Sequence, residues 1–136
     1  EDGAPPPVDL AAERRNGDFV RGLIQDGYVT VCHDLSDGGL VVAAAEMALS
    51  SDVGVTLIAN SQAHAHPFLF GEDQARYLVA TEHPDRLIAT AQKAGVHAIV
   101  VGTAGGDAFA STELFSIPMA ELRAANEGWM PAFMEG

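Results

Sequence analysis

A run of β-branched residues, Val29-Thr30-Val31-Cys32, leads directly into His33-Asp34-Leu35-Ser36-Asp37-Gly38-Gly39-Leu40. An Ala-rich stretch follows, Val41-Val42-Ala43-Ala44-Ala45-Glu46-Met47-Ala48-Leu49. These residues dictate strand, then polar glycine-containing turn, then helix. That order brings backbone N–H groups and a helix N-terminus to one point. Such a point suits an anion, because first-turn N–H groups lack partners and the helix dipole is positive there. Asp37 or Ser36 could alternatively cap the helix and satisfy those groups internally, which is the ordinary use of these residues and the favoured reading on local physics. Gly38-Gly39 serves either purpose, letting a phosphate approach closely or letting the turn adopt positive φ.

The flanking sequence builds a mixed fold around this turn. Glu1 to Pro7 reads as a stiff, extended entry segment, and residues 1–8 as a linker from a preceding domain, with one domain over 9–136. Asp9 is the expected N-cap of a helix from Leu10 to about Gln25, in which Leu10, Phe19, Val20, Leu23 and Ile24 supply the apolar side. Gly17 and Gly22 cost this helix up to about 1 kcal/mol each, so docking must help to hold it. Gly27 fits the position just past its end. Apart from Glu46, the Leu40–Ser51 helix is almost wholly small or apolar and is expected to be enclosed on more than one side.

Gly54–Ala59 and Ala75–Thr81 read as strands, and Val96–Gly102 as the clearest buried one. Asn60–Pro67 reads as a loop, Phe68-Leu69-Phe70 as a short apolar anchor, and Gly71-Glu72-Asp73-Gln74 as a second polar turn. Pro84 starts a helix ending at Gly95. Gly102 to Asp107 is a flexible turn, Phe109 to Ile117 holds another strand or two, and Pro118 starts a helix through about Asn126. Trp129, Phe133 and Met134 either close the core or contact a partner domain, with core closure the default. The fold class is α+β: a mixed sheet of about four to six strands with helices packed mainly on one face.

Charge and cysteine content exclude several function classes. Seven Lys+Arg against nineteen Asp+Glu give a formal charge of −12 over 136 residues, with 48% hydrophobic residues. No basic stripe exists to neutralise a nucleic-acid backbone, and an acidic surface disfavours an anionic membrane. No stretch of about 18 apolar residues is available to span a bilayer. Cys32, the single cysteine, permits no internal disulfide and suits a reducing cytoplasm. It reads as a small hydrophobe at a strand end, with His33 pointing to the opposite face.

Other side chains offer chemistry with ordinary alternatives. His33 and Asp34 either polarise a ligand or fix the turn by side-chain hydrogen bonds. Glu72 and Asp73 either favour Mg²⁺ or are solvated at the surface with Arg76 as partner. His64 and His66 lack the third protein ligand that a catalytic zinc needs. No catalytic residue and no metal site are assigned.

Three signatures together resemble one family: Cys32–Leu40 with Ala45-Glu46-Met47-Ala48; Phe68-Leu69-Phe70-Gly71-Glu72-Asp73-Gln74-Ala75-Arg76; and Val100-Val101-Gly102-Thr103-Ala104-Gly105-Gly106. Arg15-Asn16-Gly17-Asp18-Phe19-Val20 and Trp129-Met130-Pro131 look familial too. The family is phosphoribosylformylglycinamidine synthase, and the resemblance is to the C-terminal domain of its ATP-dependent synthetase subunit. The resemblance implies an enzyme of purine biosynthesis: formylglycinamide ribonucleotide, glutamine-derived ammonia and ATP give the amidine, ADP and phosphate. ATP and Mg²⁺ would serve the whole subunit, with neither expected on this domain alone.

The implied partners are nucleotide-binding domains of the same subunit, with glutaminase and small accessory subunits, in the cytoplasm. The family's catalytic histidine lies in other domains, so the isolated domain is expected to be inactive. His33, Asp34, Ser36, Asp37, Gly38, Gly39, Gly71, Glu72, Asp73 and Gln74 are the candidate substrate- or phosphate-facing loops. The alternative is a non-catalytic structural and interaction domain completing the subunit's pseudo-symmetry. A related superfamily enzyme, such as aminoimidazole ribonucleotide synthetase, fits the combined signatures less well.

Overall fold

The computed structural model describes residues 8–58 and 65–135. The entry segment Glu1–Pro7, Ala59, and the loop residues 60–64 with His64 therefore lie outside the described residues. Helix α1 runs from Leu10 to Gln25, where Asp9 Oδ1 accepts from the N–H groups of Ala11 and Ala12 at 3.0 and 2.9 Å. Gly27, at φ 69, takes the expected place past its end. Strand β1 covers Val31–Asp34, two residues later than its β-branched run suggests, so His33 and Asp34 are strand residues. Helix α2 follows at Gly39–Ser51 and strand β2 at Val55–Leu57.

The short helix α3, Ala65–Phe70, corrects the loop expected through Pro67. Its Leu69 is buried, so the predicted apolar anchor is real but helical. Strand β3 is Tyr77–Ala80, helix α4 Pro84–Lys93, and strands β4, β5 and β6 are Gly102–Ala104, Ala108–Ser111 and Phe115–Pro118. Helix α5, Met119–Glu135, continues well past Asn126 and contains Pro131.

The α+β class with a mixed sheet holds, and the described strands divide between two sheets. One is an antiparallel ribbon, β1-β3; the other has the order β4-β2-β5-β6, with β2 parallel to β5 and its other pairings antiparallel. Helix α2 stands between them. Its Ala44 and Ala48 join Leu57, Leu69, Phe109 and Met119 in one core cluster, while Leu40 and Ala43 join Leu35 in another. That double engagement explains its near-absence of polar residues. A third cluster packs Leu23, Val29 and Leu87 against Cys32 and Val79 of the ribbon, which docks α1 and α4.

Two expectations fail. Among the described residues Val96–Val101 enters no ladder, and Ile99 and Val100 are about half exposed. The edge of β2 is taken by β4 instead, because Gly102 lacks the β-carbon that would sit 2.5 Å from the Thr56 carbonyl oxygen. The apolar run meets this sheet through a bond from Ile58 N–H to Val101 O at 2.9 Å. Trp129, Phe133 and Met134 do not close the core: they are 62%, 68% and 75% exposed. Trp129 and Phe133 stack on each other one helical turn apart, along a part of α5 that extends from the body.

Leu57 is 1% exposed at the centre of the larger sheet. Replacing it by alanine should cost about 2–5 kcal/mol. Leu10→Ala, at the exposed start of α1, should change stability by less than about 0.5 kcal/mol. Urea denaturation of the two variants checks the contrast.

Candidate functional site

Strand pairing decides which loops meet. In the antiparallel ribbon Asp34, the last residue of β1, lies opposite Tyr77, the first of β3. The segment leaving β1 and the segment entering β3 must therefore emerge at the same end. Leu35 N–H donates to Arg76 O at 3.0 Å and carries the pairing one step further. This brings His33, Asp34, Ser36, Asp37, Gly38 and Gly39 beside Gly71, Glu72, Asp73 and Gln74, so the two polar signatures form one surface.

Backbone contact, without side chains between, joins them at α2. Gly38 is the N-cap at φ 82, and Gly39 opens the helix at φ 66. A β-carbon on Gly39 would lie 2.7 Å from Gly71 O and 2.8 Å from the Phe70 carbonyl carbon. Glycine is thus required twice at Gly39, by conformation and by space. Neither Asp37 nor Ser36 caps the helix through its side chain; Ser36 takes part through its carbonyl oxygen, which accepts from Gly39 N–H at 3.0 Å. Glu72 Oε1 instead accepts from Gly38 N–H at 2.8 Å.

The second loop is tied at three further points. Arg76 Nη1 reaches Gly71 O at 3.2 Å and Asp73 Oδ2 at 3.4 Å, so the expected partnership of Arg76 is with Asp73. Asn16 of α1 donates from Nδ2 to Ala75 O at 3.0 Å, fixing a residue held at φ 63. Asp34, Ser36, Asp37, Glu72, Asp73 and Gln74 are all exposed, which makes the rim acidic. Among the described residues no group of three or more His, Cys, Asp or Glu is arranged to hold a metal ion.

His33 fastens β1 to α2. Its Nδ1 lies 2.6 Å from Asp34 O and its Nε2 2.7 Å from Glu46 Oε2. Both facing atoms are acceptors, an arrangement that favours the doubly protonated ring. The bond to the Asp34 carbonyl and the Glu46 carboxylate raise the His33 pKa above its ordinary value, against an opposing effect of burial. Burial, and then Asp34, push the Cys32 thiol up, consistent with a packed thiol rather than a nucleophile.

Sequence reading assigned no role to Glu46 or Asn16. A signal for Glu46 was present, since a lone charge on an otherwise apolar helix needs a partner. Asn16 carried less, because a polar residue in a surface helix is ordinary. Beside the loops, an apolar groove of about 640 Å³ runs between α2 and α5, lined by Val42, Glu46, Phe70, Ile117 and Trp129 among others.

Comparison with known proteins gives this geometry its relatives. The family model described as AIR synthase related protein, C-terminal domain, matches residues 1–112. Phosphoribosylformylglycinamidine synthase subunit PurL of Caulobacter vibrioides is 65% identical over 134 residues, covering 98% of this chain and 18% of that protein. The same subunit of Rhodospirillum rubrum is 53% identical over 141 residues, covering 100% and 18%. The chain thus spans less than a fifth of the length of these relatives.

Among solved structures, T. maritima PurL complexed with ATP superposes at a TM-score of 0.75 and 19% identity, over 89% of this chain and 23% of that one. PurLQS from Thermotoga maritima gives 0.71 at 18% identity, over 85% and 22%. At these identities the structural matches establish a shared fold.

Two outcomes follow from the geometry. Gly39→Ala should destabilise the chain by more than about 1 kcal/mol, from the positive φ and the clash together, as read by thermal unfolding. For His33, a raised folded-state pKa means stability fully present below about pH 6.5, and lost as pH rises through the folded-state value. Urea denaturation across that range should show this decline, and His33→Gln should remove it.

Proposed function

The chain belongs to the AIR synthase related family by its C-terminal domain, and from that premise we propose that it forms the C-terminal domain of a phosphoribosylformylglycinamidine synthase. The observation carrying this reading is the 65% identity to subunit PurL across 98% of the chain. The enzyme is an ATP-dependent carbon–nitrogen ligase of purine biosynthesis. It converts formylglycinamide ribonucleotide, with glutamine-derived ammonia and ATP, to formylglycinamidine ribonucleotide. It works in the cytoplasm, without nucleic acid or membrane.

Residues 9–136 form the domain and residues 1–8 its link to a preceding one. Its partners are the nucleotide-binding domains of the same subunit, then glutaminase and small accessory subunits. ATP and Mg²⁺ serve the whole subunit. Among the described residues no three carboxylate, imidazole or thiol groups converge, and Asp73 pairs with Arg76 and Glu72 with Gly38 N–H. His33, Asp34, Ser36, Asp37, Gly38, Gly39, Gly71, Glu72, Asp73 and Gln74 present one face to the neighbouring nucleotide-binding domain.

Exposed apolar surface supports a domain that is covered in its full setting. Leu10, Trp129, Phe133 and Met134 are each more than 60% exposed, with the apolar groove beside α5.

Calorimetric titration of the 136-residue chain with ATP–Mg²⁺ should show no strong binding, and micromolar affinity would contradict a domain that is silent alone. In the intact subunit, Asp37→Ala should lower turnover at an unchanged melting temperature. A parallel fall of both would favour the purely structural alternative.

A further inference from the structure

The first N–H groups of a helix need acceptors, and the positive end of the dipole prefers an anionic one. Sequences meet this locally, with a Ser, Thr, Asp or Asn cap, or with a Glu or Gln at the third helical position reaching back to the cap N–H. Helix α2 has neither device. Its cap is Gly38, which makes no side-chain cap bond, and its third residue is Val41. Asp37 and Ser36 stand next to the cap and leave it unserved through their side chains.

The missing acceptor comes from 34 residues away, where Glu72 Oε1 meets Gly38 N–H at 2.8 Å. Glu72 performs from the neighbouring loop the part that a third-position glutamate performs within a helix. We propose that Glu72 is a positioning residue that supplies α2 with its capping carboxylate, locking the Gly71–Gln74 loop to the turn and closing this helix N-terminus to outside anions. This goes beyond the family assignment and does not depend on it.

Three observations favour a fixed cap over a chance surface contact. The Glu72 loop is anchored on both sides, by Arg76 on Gly71 O and Asp73, and by Asn16 on Ala75 O. Its backbone already touches Gly39 too closely to admit a β-carbon. The surrounding carboxylates Asp34, Asp37 and Asp73 disfavour a second anion at the same point, so a carboxylate held by the chain itself is the anion that fits. A hydrogen bond to an ionised acceptor is also stronger than one to a neutral group.

Thermal unfolding of the 136-residue chain tests this, with sodium formate or inorganic phosphate compared with chloride at equal ionic strength. Glu72→Ala should melt about 4 °C lower, and formate, a free carboxylate, should recover at least half of that loss. Glu72→Gln should lose less, because its amide oxygen still accepts, and should respond little to formate. The unsubstituted chain should respond to neither anion beyond the chloride control. A melting temperature that rises with phosphate in the unsubstituted chain would show the helix end open and overturn the proposal. Glu72→Ala melting like the parent, or melting lower without rescue by formate, would overturn the capping role.

Discussion

The start of α2 lies against the end of α3 with no side chain between them, and that backbone contact fixes the relation of the two polar loops. It exists because Gly39 has no β-carbon to meet Gly71 O at 2.7 Å. Close approach of this kind is unforgiving, since backbone atoms cannot rotate away as a long side chain can. Around it the polar groups are placed to match. Glu72 takes the cap N–H, Arg76 holds the loop to itself, and His33 ties β1 to the flank of α2 through Glu46. Without the contact at Gly39 each of these would be an exposed surface bond of small worth.

Such a joint holds the two polar loops together as one surface. The loops present an acidic, internally bonded rim, while apolar surface gathers on α5 and in the groove beside it. Helix α2 connects the two, because its buried face belongs to cores on both sides and its exposed Val42 lines the groove. A domain built in this way offers one polar and one apolar face to its surroundings.

Local signals in the sequence carried much of this. Asp9 marked the start of α1, Gly95 the end of α4, and the lack of charge in α2 its enclosure, because each is set by residues within one or two turns. Non-local choices were less legible. Val96–Val101 has the composition of a buried strand, yet among the described residues it joins no ladder, and the edge of β2 goes to β4, where Gly102 lets the backbones approach. The exposed end of α5 reads as core by composition alone, since Trp129 and Phe133 are apolar whether they meet a core or stand free. For the site, both loop signatures were visible, but their union followed from the Asp34–Tyr77 register. The cap on α2 could not be read locally, because its donor and acceptor are 34 residues apart.

Native-state amide hydrogen exchange measures the joint most directly, since it reports the free energy at which each backbone N–H opens. If the turn is locked, Gly38, Gly39 and Leu35 N–H should exchange with opening free energies matching those of Ala44 and Ala48 in the buried middle of α2. Exchange at those three amides several kcal/mol easier than in the helix core, as for a fraying terminus, would contradict it: the two loops would then be neighbours in space without forming one rigid surface.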